Sequence, residues 1–181
     1  RLNYKKENYT NSIKWLHKNG YVIFIHGIDN LKIKKKDFPN VFFVNNFAKN
    51  FDNKLINIYL LFKGDLHISQ NSGSVCLAEA LGKEIVVTEC FPFCNGLPGK
   101  QMIRLLFPKI RISNKIYNLK NYVNTKYFFG EGFDNDRVKL IPNTSKQILN
   151  TIKDTKLNYC LNIKFPRNSS IYYRKNNKIY I

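Results

Sequence analysis

Apolar positions along this chain change their period several times, and each change marks an element. Residues 66–69 form a short apolar run that closes on polar residues, the pattern of a buried strand. A small polar turn follows at residues 70–74, with Gly73 inside it. Beyond the turn Cys76, Leu77, Ala80 and Leu81 fall at helical spacing, and Gly82 stands where a helix ends. Residues 85–88 are β-branched and uncharged, which predicts a second buried strand. Strand, tight turn, helix and strand in so short a stretch predict a parallel βαβ unit.

The remaining pattern is organised around that unit. Upstream, Tyr9, Ile13, Trp15 and Leu16 predict an amphipathic helix that stops at Asn19-Gly20. The continuous apolar run 21–25 predicts a central parallel strand, with His26 and Gly27 at its carboxyl end. Residues 41–44 read as the next strand, followed by Asn45-Asn46. Leu55, Ile58, Tyr59 and Phe62 then recur at i, i+3, i+4 and i+7, a helix closed by Gly64. After Thr88 comes a long loop, residues 89–99, rich in proline, glycine and cysteine; such a loop at a strand's carboxyl end gathers ligand contacts. Residues 100–107 predict a short helix and 110–113 a strand, while 114–136 carry little pattern. Pro142 and then Thr144 with Gln147, in capping-box spacing, predict the start of a helix bearing Ile148, Leu149 and Ile152. Past residue 155 the chain is basic, with Ile171, Tyr173, Ile179 and Ile181 alternating around Asn176-Asn177. Both a β-hairpin and a loose tail fit that segment. There is no internal repeat.

Length and composition narrow the classes. The 181 residues suffice for one α/β domain with a proper core. A net charge of +18 invites a nucleic-acid reading, but 24 of the 30 basic residues are lysine and only 6 are arginine, the usual base reader. The chain is also rich in Asn, Ile, Tyr and Phe, as biased base composition alone would produce. No zinc-finger spacing, RNA-recognition signature or basic helix with heptads is present. The charge therefore reads as a solvated surface suited to anionic lipid or substrate, and nucleic acid is not an expected partner. No apolar run is long enough to span a bilayer, and no signal peptide opens the chain. Cys76, Cys90, Cys94 and Cys160 form no CxxC, and His26 and His67 stand apart from them. Buried free thiols in a reducing, cytoplasmic compartment are expected, and no metal site. The chain opens at Arg1 and enters a helix within a few residues, which reads as a segment of something longer.

Chemistry concentrates at the 70–74 turn. The first N–H groups of a helix lack intrahelical partners and carry partial positive charge. If Ser72, Gly73 and Ser74 open the helix, their N–H groups and two hydroxyls converge on one point, a site for a phosphate or carboxylate. The competing reading is that Ser72 or Ser74 merely caps the helix. Two or three charge-assisted bonds give a gross ~3–9 kcal/mol, much of it offset by the entropy of association. A ligand must therefore be held by neighbouring strand ends as well. His26, at such an end, reads equally as a binding or a structural side chain.

The ordered series V-F-F-V-N-N-F, a helix ending L-L-F-K-G-D, then H-I-S-Q-N-S-G-S-V-C-L-A-E-A-L-G-K-E-I-V-V and a proline-bearing loop resembles the carboxyl-terminal, donor-binding half of GT-B glycosyltransferases, with a heptosyltransferase-like layout. R-L-N-Y-K-K-E-N-Y-T-N-S-I-K-W-L-H-K-N-G-Y-V-I and L-I-P-N-T-S-K-Q-I-L are similar to the outline of a group of bacterial glycosyltransferases. The likeness covers residues 1–155. It implies an α/β, open parallel-sheet, Rossmann-like three-layer domain, one half of a GT-B fold, with 156–181 as a short basic tail or β-hairpin. It implies a donor diphosphate at Asn71, Ser72, Gly73 and Ser74. Nucleoside or sugar contacts would come from Asn45, Gln70, Glu89, Phe91 and Pro92, with Arg1, His26 and Gly27 facing the cleft. Three departures stand out: Gln70-Asn71 where heptosyltransferases carry an acid, His26 where the closer group often has arginine, and Ser74 rather than proline after Gly73.

The implied activity is metal-independent sugar transfer from a nucleoside-diphosphate-sugar to a cell-surface polysaccharide or lipid-linked glycan, with no cofactor. The acceptor site and general base would belong to an amino-terminal domain of the same protein, so this segment alone would be inactive. Such a protein would work in the cytoplasm, at the inner membrane, in peripheral contact with anionic lipid. The alternative is a noncatalytic Rossmann-like interaction module that has lost its donor site.

Overall fold

The computed structural model of the chain describes residues 5–27, 31, 33–47, 52–91, 103–123, 125, 127, 138–161, 171–175 and 178–180. A 3-10 turn, Lys6–Tyr9, leads into α1 (Thr10–Lys18), which buries Ser12, Ile13 and Leu16 along one face. It ends at Gly20, whose φ of 80° belongs to the left-handed region that glycine enters most easily. Strand β1 (Ile23–Ile25) pairs in parallel with β2 (Val41–Phe43), Ile23 opposite Val41. A single turn, α2 (Val44–Phe47), precedes α3 (Asn53–Lys63), whose amino end is capped by the Asp52 carboxylate accepting from the Lys54 N–H at 2.8 Å.

The βαβ unit forms as the pattern requires. β3 (Leu66–Gln70), α4 (Gly73–Ala80) and β4 (Glu84–Thr88) follow one another, and β3 and β4 run parallel with Gln70 opposite Thr88. β5 (Ile103–Leu106) pairs in parallel on the far side of β4. Next come β6 (Lys109–Ile112), β7 (Lys115–Tyr117), α5 (Leu119–Tyr122) and β8 (Val138–Ile141), then α6 (Ser145–Leu161). β6 is the centre of an antiparallel sheet of order β7-β6-β8. The backbones of β9 (Ile171–Lys175) and β10 (Lys178–Tyr180) extend the main sheet to the order β10-β9-β5-β4-β3, both added antiparallel.

Period-two alternation explains how the main sheet is covered. On one face Ile85 and Val87 of β4 with Ile103 and Leu105 of β5 pack against Val75 and Ala78 of α4 and against Phe107, Ile110, Leu119 and Tyr122. On the other, Val86 and Leu106 meet Leu16 of α1 and Ile148 and Ile152 of α6. β4 is thus apolar on both faces because helices cover both, the condition for a central parallel strand. The chain is α/β, with parallel strands between helices, and among the described residues no helix is long and apolar enough to cross a membrane.

Four expectations change. Residues 103–106 are a strand, not a helix: their side chains are buried on both faces, and the lone charge, Arg104, is buried with them, the cost of its desolvation opposed by the negative charges of Glu84 and Asp154. β1 is not central. It pairs only with β2 among the described strands, and Val22 and Phe24 are exposed. The apolar face of α4 is rotated from the expected one. Val75 and the small Ala78 approach the sheet, while Cys76 is exposed, so that thiol is not buried; Cys90 is. Finally, the stripe on α3 faces solvent instead of a core. Cys94 lies outside the described residues, as does the side chain of Cys160.

Candidate functional site

The carboxyl ends of β3 and β4 form a polar crest. β3 places His67 and Ser69 on the same side, two residues apart, and α4 begins after a two-residue bend. Ser72 occupies the position before the helix in extended conformation (φ −155°, ψ 165°), yet its hydroxyl makes no capping bond to the helix. The hydroxyls of Ser69, Ser72 and Ser74 converge instead, with oxygens 2.9 to 3.2 Å apart, and His67 Nε2 lies 3.1 Å from Ser74 Oγ. Ser69 Oγ also donates to the Gln70 carbonyl at 2.9 Å. A Cβ added to Gly73 would meet nothing within 4 Å, so the first turn of α4 opens onto free space on that side. The Gln70 Nε2 is buried without a hydrogen-bond partner.

Burial lowers the pKa of His67, which keeps the imidazole neutral at physiological pH and able to exchange a proton with Ser74. A neutral histidine bonded to a serine is one half of an activated nucleophile. The other half, a carboxylate orienting the far ring nitrogen, is not found among the described residues. What the cluster supplies is several rotatable hydroxyls and helix-end N–H groups, a set suited to an oxyanion.

A second polar knot lies just beyond β4. Glu89 is 2% exposed, with a φ of 51° in the left-handed region that non-glycine residues seldom occupy. Asn143, on the approach to α6, holds it twice: the Asn143 N–H donates to Glu89 Oε1 at 2.7 Å, and the Glu89 N–H donates to Asn143 Oδ1 at 2.8 Å. Asn143 Nδ2 donates to the Phe107 carbonyl at 2.9 Å, and Asn8 Nδ2 to the Asn143 carbonyl at 2.7 Å. Glu89 Oε2 is buried with no partner. Burial raises the carboxyl to about 7, the Asn143 bond opposing the shift. Next to it Thr88 Oγ1 donates to the Ser69 carbonyl at 3.2 Å and meets Tyr9 OH at 2.5 Å, tying the amino-terminal turn to the crest.

The structure therefore brings Gln70, Asn71, Ser72, Gly73, Ser74 and Glu89 to the same end of β3 and β4. His26 and Gly27 follow β1, in the separate β1–β2 sheet; His26 is exposed and its Nε2 lies 3.4 Å from Asn57 Nδ2 of α3. Asn45 sits within α2 rather than at a strand end. Phe91 is a core side chain packed with Cys90 and Phe107. Arg1 and Pro92 lie outside the described residues. His67, Ser69, Asn8 and Asn143 join the site without being expected there from the sequence. The first two were legible from the alternation H-I-S on one strand; the last two come from segments more than fifty residues away, which no local pattern connects.

Compared with protein-family models, curated proteins and solved structures, the chain finds no match.

Proposed function

We propose that this chain is the donor-binding half of a GT-B-type glycosyltransferase, an open-sheet Rossmann-like domain that seats a nucleoside-diphosphate-sugar. The observation that carries the reading is the head of α4. It stands at the carboxyl end of a parallel strand, no side chain caps it, three hydroxyls surround it, and the Cβ side of Gly73 is open. Ligands of open α/β sheets bind at that end. The N–H groups of Gly73 and Ser74 would grip the diphosphate and stabilise it as it departs, an electrostatic role that requires no metal. Asn71 and Gln70 would flank it. The acceptor, a polysaccharide or lipid-linked glycan, and the general base would belong to another domain of the same protein, so the segment binds donor without turning it over.

A plain α/β interaction module is the second reading, favoured by one observation: the three hydroxyls and His67 already satisfy one another. Titration separates the two. With free nucleoside diphosphates and nucleotide sugars, the Ser72, Gly73 and Ser74 amide resonances shift together at millimolar ligand if the donor reading holds. Shifts confined to lysine-rich surface segments, or none, rule it out.

A further inference from the structure

α3 is the least covered apolar element in the described part of the chain. Leu55, Ile58, Tyr59 and Phe62, its i, i+3, i+4 and i+7 positions, are 65, 45, 59 and 57% exposed. Asp52 anchors the helix start and the Gly64 N–H bonds the Leu60 carbonyl at 2.8 Å, so this is a formed helix with a bare stripe. The charges that lie over its rings are cationic, while Asp52 and Asp65 flank the helix at its two ends. The helix sequence N-K-L-I-N-I-Y-L-L-F-K has a lysine near each end and no acid. Lys63 Nζ lies over the Tyr59 and Phe62 rings at 6.0 and 5.7 Å, and Lys83, from the α4–β4 turn, lies over Phe62 at 5.6 Å while donating to its carbonyl.

We propose that this stripe is a docking face for an anionic lipid surface. Aliphatic and aromatic side chains beside lysines that fold back along the rings form the pattern of a helix lying in the headgroup plane. The rings enter the acyl boundary while the ammonium groups stay at the phosphates. The occupant follows from charge: a bare stripe with cations beside it and no acid on the helix complements a phosphate-rich plane, and the chain as a whole carries +18. The proposal is independent of the donor site, since none of these side chains belongs to the crest at the ends of β3 and β4.

Bulk charge alone would drive any +18 chain to anionic vesicles, so the test must isolate the stripe. The full chain is sedimented with vesicles of phosphatidylcholine alone and with a third phosphatidylglycerol. Binding to the anionic vesicles only is expected, with a component that survives raised salt. Leu55→Asp with Phe62→Asp weakens it at least about tenfold and removes the salt-resistant component. Lys63→Glu and Lys83→Glu each weaken it about fivefold, whereas Lys115→Glu and Lys139→Glu, on the small antiparallel sheet, change it less than about twofold. The substituted apolar positions are exposed, so unchanged thermal melts are expected alongside. Unaltered vesicle binding by the Leu55/Phe62 variant overturns the proposal. So does a dimer of the parent chain in solution that this variant dissociates, which would make a second copy the occupant.

Discussion

Two regions of this molecule are built from the same kind of sequence and end differently. Around β4, every strand face is covered: α4 and the β6 layer on one side, α1 and α6 on the other. In the β1–β2 sheet only one face is covered. Ile25 and Val41 pack with Ile13 of α1, while Phe24 and Phe42 stack on each other at 5.6 Å, exposed. Beside them α3 turns its apolar stripe outward. An uninterrupted apolar run announces a strand, but whether a second layer exists to cover it depends on elements elsewhere in the chain. The flank therefore spends its apolar surface on something other than the described core, and the centre spends its own on stability.

The sharpest way to break this comparison is to delete matched side chains from the two regions. Ile148 is fully buried against Val86 and Leu106. Ile148→Ala should cost about 2–5 kcal/mol by urea denaturation, whereas Leu55→Ala in α3 should stay within about 0.5 kcal/mol. Equal losses would mean that α3 is packed in solution and that the two regions are one. A smaller effect is expected at Asn143. Asn143→Ala strips the acceptor from the Glu89 N–H and the donor from the Phe107 carbonyl, both buried. The Glu89 N–H, left without its acceptor, predicts a loss of about 1–3 kcal/mol. A neutral result would show that the knot is not what holds α6 to the crest.

These two sites also show what the sequence could reveal. The β3–α4–β4 unit was legible because strand, turn and helix are local, and so was the α6 start, where Thr144 N–H donates to Gln147 Oε1 at 2.9 Å and Gln147 N–H to Thr144 Oγ1 at 3.3 Å. β5 was not legible. Arg104 interrupts its apolar run, and only the fold reveals the negative charges of Glu84 and Asp154 that favour the guanidinium's charged form against the cost of burying it. The candidate site was half legible: the Ser-Gly-Ser turn announces itself, but the Asn8–Asn143–Glu89 chain links three segments far apart in sequence.

Glu89 gives the centre a pH dependence of its own. Burial lifts its carboxyl from the usual 4.5 to about 7. The folded chain therefore holds this proton more tightly than the unfolded chain does. Its contribution to stability is full below about 4.5 and is lost as pH rises through about 7. At about 1.4 kcal/mol per pH unit between those values, roughly 3.5 kcal/mol is the upper bound. His67, whose pKa burial lowers, contributes the opposite slope below its usual 6.5, so the Glu89 share is read as a difference. Relative to Glu89→Gln, neutral at every pH and still able to accept from Asn143, the parent's denaturation midpoint should fall across this window. A Gln variant that keeps the parent slope would assign it to another group.

The smallest expected effects come from two glycines, one in each region, that space does not explain. A Cβ would meet nothing within 4 Å at Gly73 or at Gly27. They differ in backbone. Gly27, just past β1, has a φ of +70°, while Gly73 is in ordinary helical conformation at the head of α4. Alanine at position 27 must adopt the left-handed region and should cost about 1 kcal/mol. Alanine at position 73 loses less chain entropy on folding and should gain about 0.5–1 kcal/mol. A glycine whose replacement stabilises the fold is kept for a reason outside the fold, and here the open side of the helix head is where an anion would approach. Gly73→Ala should therefore raise the thermal midpoint by a few degrees while weakening nucleoside-diphosphate shifts at the Ser72 and Ser74 amides. If stability rises and those shifts are unchanged, Gly73 owes its presence to neither packing nor ligand, and the helix head has no claim to a phosphate.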